Sequence, residues 1–429
     1  MAWNFNREPW LKDLRWLSNG KLRASWGFTG NNRTDTPYDF YAIMQTSPGS
    51  TQTFDYVSGG QIVPGYYQSN MENPNLKWET TEQTDLGLDL AFLDSRIKLT
   101  ADIYVKYTRD LLLNATIPAS SGYTQAMINI GSLRNRGLEL TLDLVPFRKR
   151  NFEWDFSANV AFNRNTVVAL SGSQDVLMSQ VSFDGQYSSQ FAYITQVGKP
   201  AGLMYGYLYE GTYKPDDFDE TGLRRGIAYV EIVGKEKTQP GYPKYKDING
   251  DGIIDDSDRT VIGCGQPLAT GGFSSAFRIW DFDLNFFFQW SYGNHILNAN
   301  RLVFENPRRT NLNQFISVEN RYSATNTTSD IPVAYAEAID NYSSRVIEDG
   351  SYLRLKTCSL GYNVPTKLLS KLHIRDARIY ISGENIWTLT NYSGNDPEVS
   401  TRPTVLTPGF DWSPYPRARS LTAGVNLKF

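Results

Sequence analysis

Apolar and polar residues alternate in this chain over unusually long segments, and no other feature restricts its fold as tightly. A period of two marks a β-strand with two unlike faces, because successive side chains point to opposite sides. Leu22, Ala24, Trp26 and Phe28 alternate with Lys21, Arg23, Ser25 and Gly27. Leu86, Leu88, Leu90 and Phe92 alternate with Asp85, Gly87, Asp89 and Ala91. Ile97, Leu99, Ala101, Ile103, Val105 and Tyr107 are spaced by Lys98, Thr100, Asp102, Tyr104 and Lys106. The same pattern runs through Leu138–Leu144, through Phe152–Asn163 and through Phe282–Tyr292.

Segment length then separates two kinds of β-protein. Strands of a soluble sandwich run about 5–6 residues. A tilted strand that crosses a bilayer needs about 9–11. The polar faces carry Lys, Asp, Glu and Arg, which suits a wet lumen, and rings gather near strand ends, as in an interfacial girdle. The pattern predicts an all-β, antiparallel transmembrane β-barrel. In it Leu86, Leu88, Leu90, Phe156, Phe286 and Phe288 face lipid, and Asp89, Asp102, Asp143 and Asn285 face the lumen.

Composition agrees. Aromatic residues make up 14% of the chain, with 26 Tyr and 22 Phe. No run of about 18 apolar residues exists, so a membrane-spanning helix is excluded. The mean hydropathy of −0.42 resembles that of a soluble protein, but in a barrel wall only alternate residues meet lipid. A net charge of −3 gives no basic surface for nucleic acid. Cys264 and Cys358 are the only cysteines, too few for a disulfide framework. Residues 1–20 lack a secretory signal, and they read as a cut into a longer chain.

Short periplasmic turns should alternate with long extracellular loops. Twelve strands are predicted, at 20–30, 82–92, 96–111, 133–146, 151–165, 188–197, 202–211, 270–280, 282–293, 351–364, 376–390 and 418–429. The strand at 188–197 has the weakest pattern and is included to keep the parity, with Gly198-Lys199-Pro200 as a periplasmic turn. The long loop at 212–269 then lies outside the cell. On the last strand Leu421, Ala423, Val425, Leu427 and Phe429 share one face, and this end resembles the C-terminal assembly signal of bacterial barrels.

One segment has the composition of an ion site. Asp247, Asn249, Asp251 and Asp258 fall at positions 1, 3, 5 and 12 of a loop with Gly252 at position 6, and Ile253 would add its carbonyl at position 7. That spacing matches an EF-hand-like calcium loop, with a shorter carboxylate at the last position. The same residues also favour an ion-free turn. Nothing reads as catalytic. His295 and His373 have no ligand-spaced neighbours. Gly263-x-Gly265 lacks the lysine and helix of a phosphate loop. The chain is therefore not expected to be an enzyme. Tyr38, Tyr41, Tyr56, Tyr66 and Tyr67 in the first long loop could stack on sugar rings or meet a partner.

Several segments together resemble one family. They are Asn73–Thr81, Gly131–Glu139, Gly198-Lys199-Pro200 with Tyr205-Gly206-Tyr207, Asp349–Lys356 and Gly383–Thr390. In this order and spacing they are similar to the C-terminal barrel half of SusC/RagA-type TonB-linked outer-membrane proteins of Bacteroidota, over essentially the whole chain. The resemblance implies a barrel of about 22 strands with an N-terminal plug and a TonB-box, both outside this sequence. It implies contact with outer-membrane lipid, coupling to TonB through the missing part, and a SusD-like surface lipoprotein that captures glycans or peptides. The expected function is a component of nutrient import. A surface-exposed structural or adhesive β-protein is the alternative.

Overall fold

The computed structural model describes residues 1–429 apart from 12–13, 33–37, 39, 47–54, 117–118, 124, 171–174, 189, 310, 335–340, 370–373 and 403. In chain order the principal strands are β1 (Leu17–Asn31), β2 (Glu79–Phe92), β3 (Ile97–Arg109), β4 (Ser132–Lys149) and β5 (Phe152–Ala169). Next come four shorter strands, β6 (Val176–Gln180), β7 (Phe191–Gln196), β8 (Leu203–Gly206) and β9 (Thr260–Cys264). The series ends with β10 (Ala269–Ile279), β11 (Phe282–Tyr292), β12 (Tyr352–Asn363), β13 (Asp376–Thr390) and β14 (Ser420–Lys428).

One antiparallel sheet forms the wall. Its order is the chain order, β1 to β5 and then β10 to β14, with the two-residue strand Ala2–Trp3 beside β1. Opposed residues of an antiparallel pair share a face, so the register can be followed across the wall. One row runs Arg23, Gly87, Asp102, Glu139, Ala161, Thr270, Ser291, Tyr352, Thr390. The adjacent row runs Leu22, Leu88, Ala101, Leu140, Val160, Gly271, Trp290, Leu353, Leu389. The first is largely polar and the second apolar. Leu86, Leu88, Leu90, Phe156, Phe286 and Phe288 fall on the apolar face, and Asp89, Asp102, Asp143 and Asn285 on the polar one, as the alternation predicts.

The polar face is stitched by cross-strand contacts. Arg23 binds Asp89 at 2.9 Å and Asp102 at 2.8 Å. Ser157 donates to Asp143 at 2.6 Å, and Arg378 pairs with Asp283. Where a strand offers glycine, a ring from the neighbouring strand lies flat on it. A Cβ on Gly137 would stand 2.3 Å from Tyr104 Cζ, and one on Gly424 would stand 2.5 Å from Tyr380 Cζ. The apolar face carries a ring belt near the short-turn end, with Trp154 stacked on Phe147 and on Phe277. β4 bends there through a bulge between Leu144 and Phe147, and the unpaired stretch contains Pro146, which cannot donate to a ladder.

The wall departs from the prediction at two places. The segments at 188–197 and 202–211 are not wall strands. They contribute β7 and β8 to a separate four-stranded sheet, ordered β6-β7-β8-β9. Ala192 to Thr195 are all buried, so this strand is covered on both faces and cannot alternate as a wall strand must. Because the two segments leave together, the parity survives. Among the described residues the wall has ten long strands, and the connection from β5 to β10 spans 170–268 rather than 212–269. Gly198-Lys199-Pro200 is not a periplasmic turn. It is hydrogen-bonded to Val167 at the long-loop end of β5.

Candidate functional site

Connections of such length normally lack a fixed structure unless something buried holds them. Here they share a core. Tyr187, Tyr193 and Met204 from 170–268, Leu297, Leu302 and Tyr342 from the β11–β12 connection, and Phe410 from the β13–β14 connection are buried in one cluster. Each large side chain so buried contributes about 1.5–3 kcal/mol before entropy is subtracted. Tyr187 donates to the Leu302 carbonyl and Tyr193 to the Pro408 carbonyl, each at 3.1 Å. Arg309 binds Asp184 at 2.7 Å and holds its carboxyl below the usual range.

Glycine lets the backbones touch. A Cβ on Gly206 would meet the Tyr342 carbonyl oxygen at 2.2 Å, and one on Gly265 would meet the Pro408 oxygen at 2.3 Å. The Gly263-x-Gly265 pair is therefore a packing device. The connections form a folded cap on the long-loop rim.

The segment 391–419 leaves this cap and lies over the polar face of the wall. Its anchor is Arg354 of β12, whose side chain is 3% exposed. Arg354 binds Asp396 at 2.5 Å and Glu398 at 3.1 Å, and it donates to Thr388 at 3.1 Å. Arg417 joins Glu398 at 3.0 Å, and Lys356 approaches it at 3.8 Å. Between this segment and the wall lies a cavity of about 840 Å³. Glu139, Asn159, Gln289 and Tyr352 line it from the wall, and Glu398 and Arg417 line it from the segment. The polar face thus borders an open, water-compatible space, and the apolar face is the outer one.

The calcium-like loop lies in the cap. Ile254 is buried against Tyr207 and Tyr245, which anchors the loop. Asp258 is buried, and it accepts from Ile248 N at 2.7 Å and from Asp255 N at 3.1 Å, so the loop closes on itself. Asp247 accepts from Gly250 N and Gly252 N, Asn249 from Asp251 N, and Asp251 from Ile253 N. These are turn contacts. Among the described residues no group of three or more His, Cys, Asp or Glu side chains is arranged to hold a metal. His295 lies beside the Cys264 backbone, with Nδ1 3.3 Å from the carbonyl oxygen. His373 lies outside the described residues.

Tyr38, Tyr41, Tyr56 and Tyr66 are exposed, and Tyr67 donates to Gln45 at 3.2 Å. Tyr56, Tyr66 and Tyr67 lie on two short antiparallel strand pairs in the first long connection. The sequence reading gave no site role to Arg354, which it held only within the Asp349–Lys356 segment, nor to Asp396, Glu398 and Arg417. Their signal was weak. Arg354 stands in a β-strand pattern like any lumenal charge, and its partners lie in a polar loop some forty residues on.

A long-stranded antiparallel wall, polar within and apolar without, with a folded cap on one rim, defines an outer-membrane β-barrel wall. The family described as TonB dependent receptor-like, beta-barrel matches residues 3–249, and the chain belongs to it. Similar proteins include TonB-dependent receptor P3 of Formosa agariphila, 36% identical over all of this chain and 41% of that protein. TonB-dependent receptor SusC of Bacteroides thetaiotaomicron is 28% identical over all of this chain and 39% of its own length. The structure of the RagAB peptide transporter superposes with a TM-score of 0.79 at 23% identity, covering all of this chain and 43% of that one. The chain is an outer-membrane β-barrel of the TonB-dependent receptor type, similar to SusC and sharing its fold with RagAB. It spans about two fifths of the length of the curated relatives it matches.

Proposed function

We propose that the chain forms the C-terminal wall and extracellular cap of a nutrient importer driven through TonB. The observation that carries this reading is the polar inner face lining an open cavity beneath an ion-paired segment. A merely adhesive surface protein has no use for a lined interior. The substrate would be a glycan or a peptide. A SusD-like lipoprotein would meet the cap, where the exposed tyrosines of the first connection offer rigid, amphipathic contact area. Deleting the gene should abolish growth on one such nutrient, and deleting TonB should do the same. Unchanged growth on every glycan and peptide tested would overturn the reading. Co-purification with a surface lipoprotein in mild detergent tests the partner.

The loop at 247–258 is proposed to take calcium, through Asp247, Asn249, Asp251, Asp258 and the Ile253 carbonyl. What supports this is the spacing of the ligands and the return of Asp258 to Ile248. Binding should be weak, because the side-chain oxygens already accept backbone N–H groups and must be redirected. A Kd of about 10⁻⁴–10⁻³ M is expected, which fits an extracellular site. Calorimetry should show this binding, and Asp251→Ala should abolish it while leaving the barrel folded. No heat at millimolar calcium refutes the site.

A further inference from the structure

On the outer face of the wall, four arginines gather at the long-loop rim. They are Arg109 of β3, Arg134 and Arg136 of β4, and Arg164 of β5. Each continues the apolar row of its strand. Arg134 and Arg136 lie in step with Leu138 and Leu140, and Arg164 lies in step with Val160 and Phe162. The register makes them neighbours. Arg136 stands directly opposite Arg164. One row nearer the rim, Arg134 stands between Tyr107 and Thr166, with Arg109 diagonal to it.

Their height follows from the strand. Arg164 is ten residues beyond Trp154, whose ring belongs to the belt at the short-turn end. Ten residues cover about 34 Å of strand, and a tilt of about 45° turns this into about 25 Å of height. That is the height of the lipid-facing band of such a wall, so the arginines sit at the far interface, toward the outside of the cell. Trp26 shares a row with Arg136, and Phe28 shares one with Arg134. Both rings are exposed and stand 5.1 Å apart, as interfacial rings do.

Charge is not balanced there. Glu82 binds Arg109 at 3.3 Å, and Arg109 also covers the Tyr107 ring at 4.7 Å. Among the described residues Arg134, Arg136 and Arg164 have no carboxylate partner, and Arg134 Nε is buried without an acceptor. Like charges directly opposite on a strand pair destabilise it. A single arginine at an interface has a simple explanation, because its head reaches up to water. Two opposed arginines with a third beside them, one of its nitrogens already dry, ask for an anion between them. Guanidinium forks match the oxygens of a phosphate, which arginine binds through two parallel N–H groups. The cluster lies on the lipid side, so that phosphate is the headgroup of a lipid, whose chains would run down over Leu138 and Phe162.

We propose that this patch binds the phosphate of an outer-leaflet lipid, with Arg136 and Arg164 as the clamp and Arg134 as a third donor. The proposal rests on the wall and its direction in the membrane, and not on import.

The test is native mass spectrometry of the protein purified in detergent, titrated with lipid A, a phosphorylated disaccharide lipid. Its dephosphorylated form and inorganic phosphate are the comparisons. Lipid A should bind at least about tenfold more tightly than the dephosphorylated lipid, and equimolar phosphate should not displace it. Arg136→Gln combined with Arg164→Gln should weaken lipid A binding about tenfold and leave the dephosphorylated lipid unchanged. Lys149→Gln, on the outer face at the short-turn rim, should change neither. Should the double variant fail to fold, Arg164→Lys keeps the charge but loses the fork, and it should weaken lipid A binding about threefold. Equal affinity for the two lipids, displacement by equimolar phosphate, or an equal loss in Lys149→Gln would overturn the proposal. So would unchanged lipid A binding in the arginine variants, including the case in which they release a copurifying protein instead. The growth test of import stands apart from all of these results.

Discussion

Leu88→Arg should destabilise the wall by about 2–4 kcal/mol, the cost of a charge on the lipid face near mid-bilayer. Leu88 stands opposite Leu22 on β1 and Ala101 on β3, so no carboxylate shares its face at that level. The neighbouring position behaves differently. Asp89 faces inward and binds both Nε and Nη2 of Arg23 at 2.9 Å. Asp89→Asn therefore does not come free, as a plain wall residue would. It should cost about 1 kcal/mol at most, because the site is wet and Arg23 keeps Asp102. Denaturant unfolding in detergent or lipid reads both values. If the two positions exchanged their costs, the face assignment of the entire wall would be reversed.

The wall was legible because lipid and water enforce a period of two along every strand, and a single slip would exchange the faces. Leu86, Asp89, Phe156 and Asn285 could be placed for that reason. The cap was not legible, because its strands obey no such rule. Ala192–Thr195 is buried on both sides, and a short buried strand has no period to read. The parity argument could not expose the error, since removing β7 and β8 together leaves every turn on its proper side. Glycines 206 and 265 gave no warning either. Their use is a contact with Tyr342 and Pro408, residues far along the chain. The calcium-like loop was legible as a turn, and its closure by Asp258 agrees with the spacing. The ion pairs of Arg354 were invisible, because a lumenal arginine in a wet channel and one buried under a loop look alike in sequence.

Arg354→Met should release the segment 391–419 from the wall. The arginine sits almost fully buried between Asp396 and Glu398, so its loss strands a carboxylate where water reaches poorly. Removing one member of a buried pair costs about 3–5 kcal/mol. The low end applies, because Arg417 stays 3.5 Å from Asp396 and 3.0 Å from Glu398. About 3 kcal/mol corresponds to a local opening roughly a hundredfold more frequent. Hydrogen exchange should therefore accelerate within 391–419 and not in β1–β3, which lie across the wall. The double variant Arg354→Met with Asp396→Leu separates two causes. If the cost is the stranded charge, the second change should recover much of the loss, since an apolar pair of similar volume is often neutral. If exchange stays fast in the double variant, the ion pairs themselves hold the segment over the cavity. Unchanged exchange in Arg354→Met would mean that Phe410 and the cap core hold it without help from the wall.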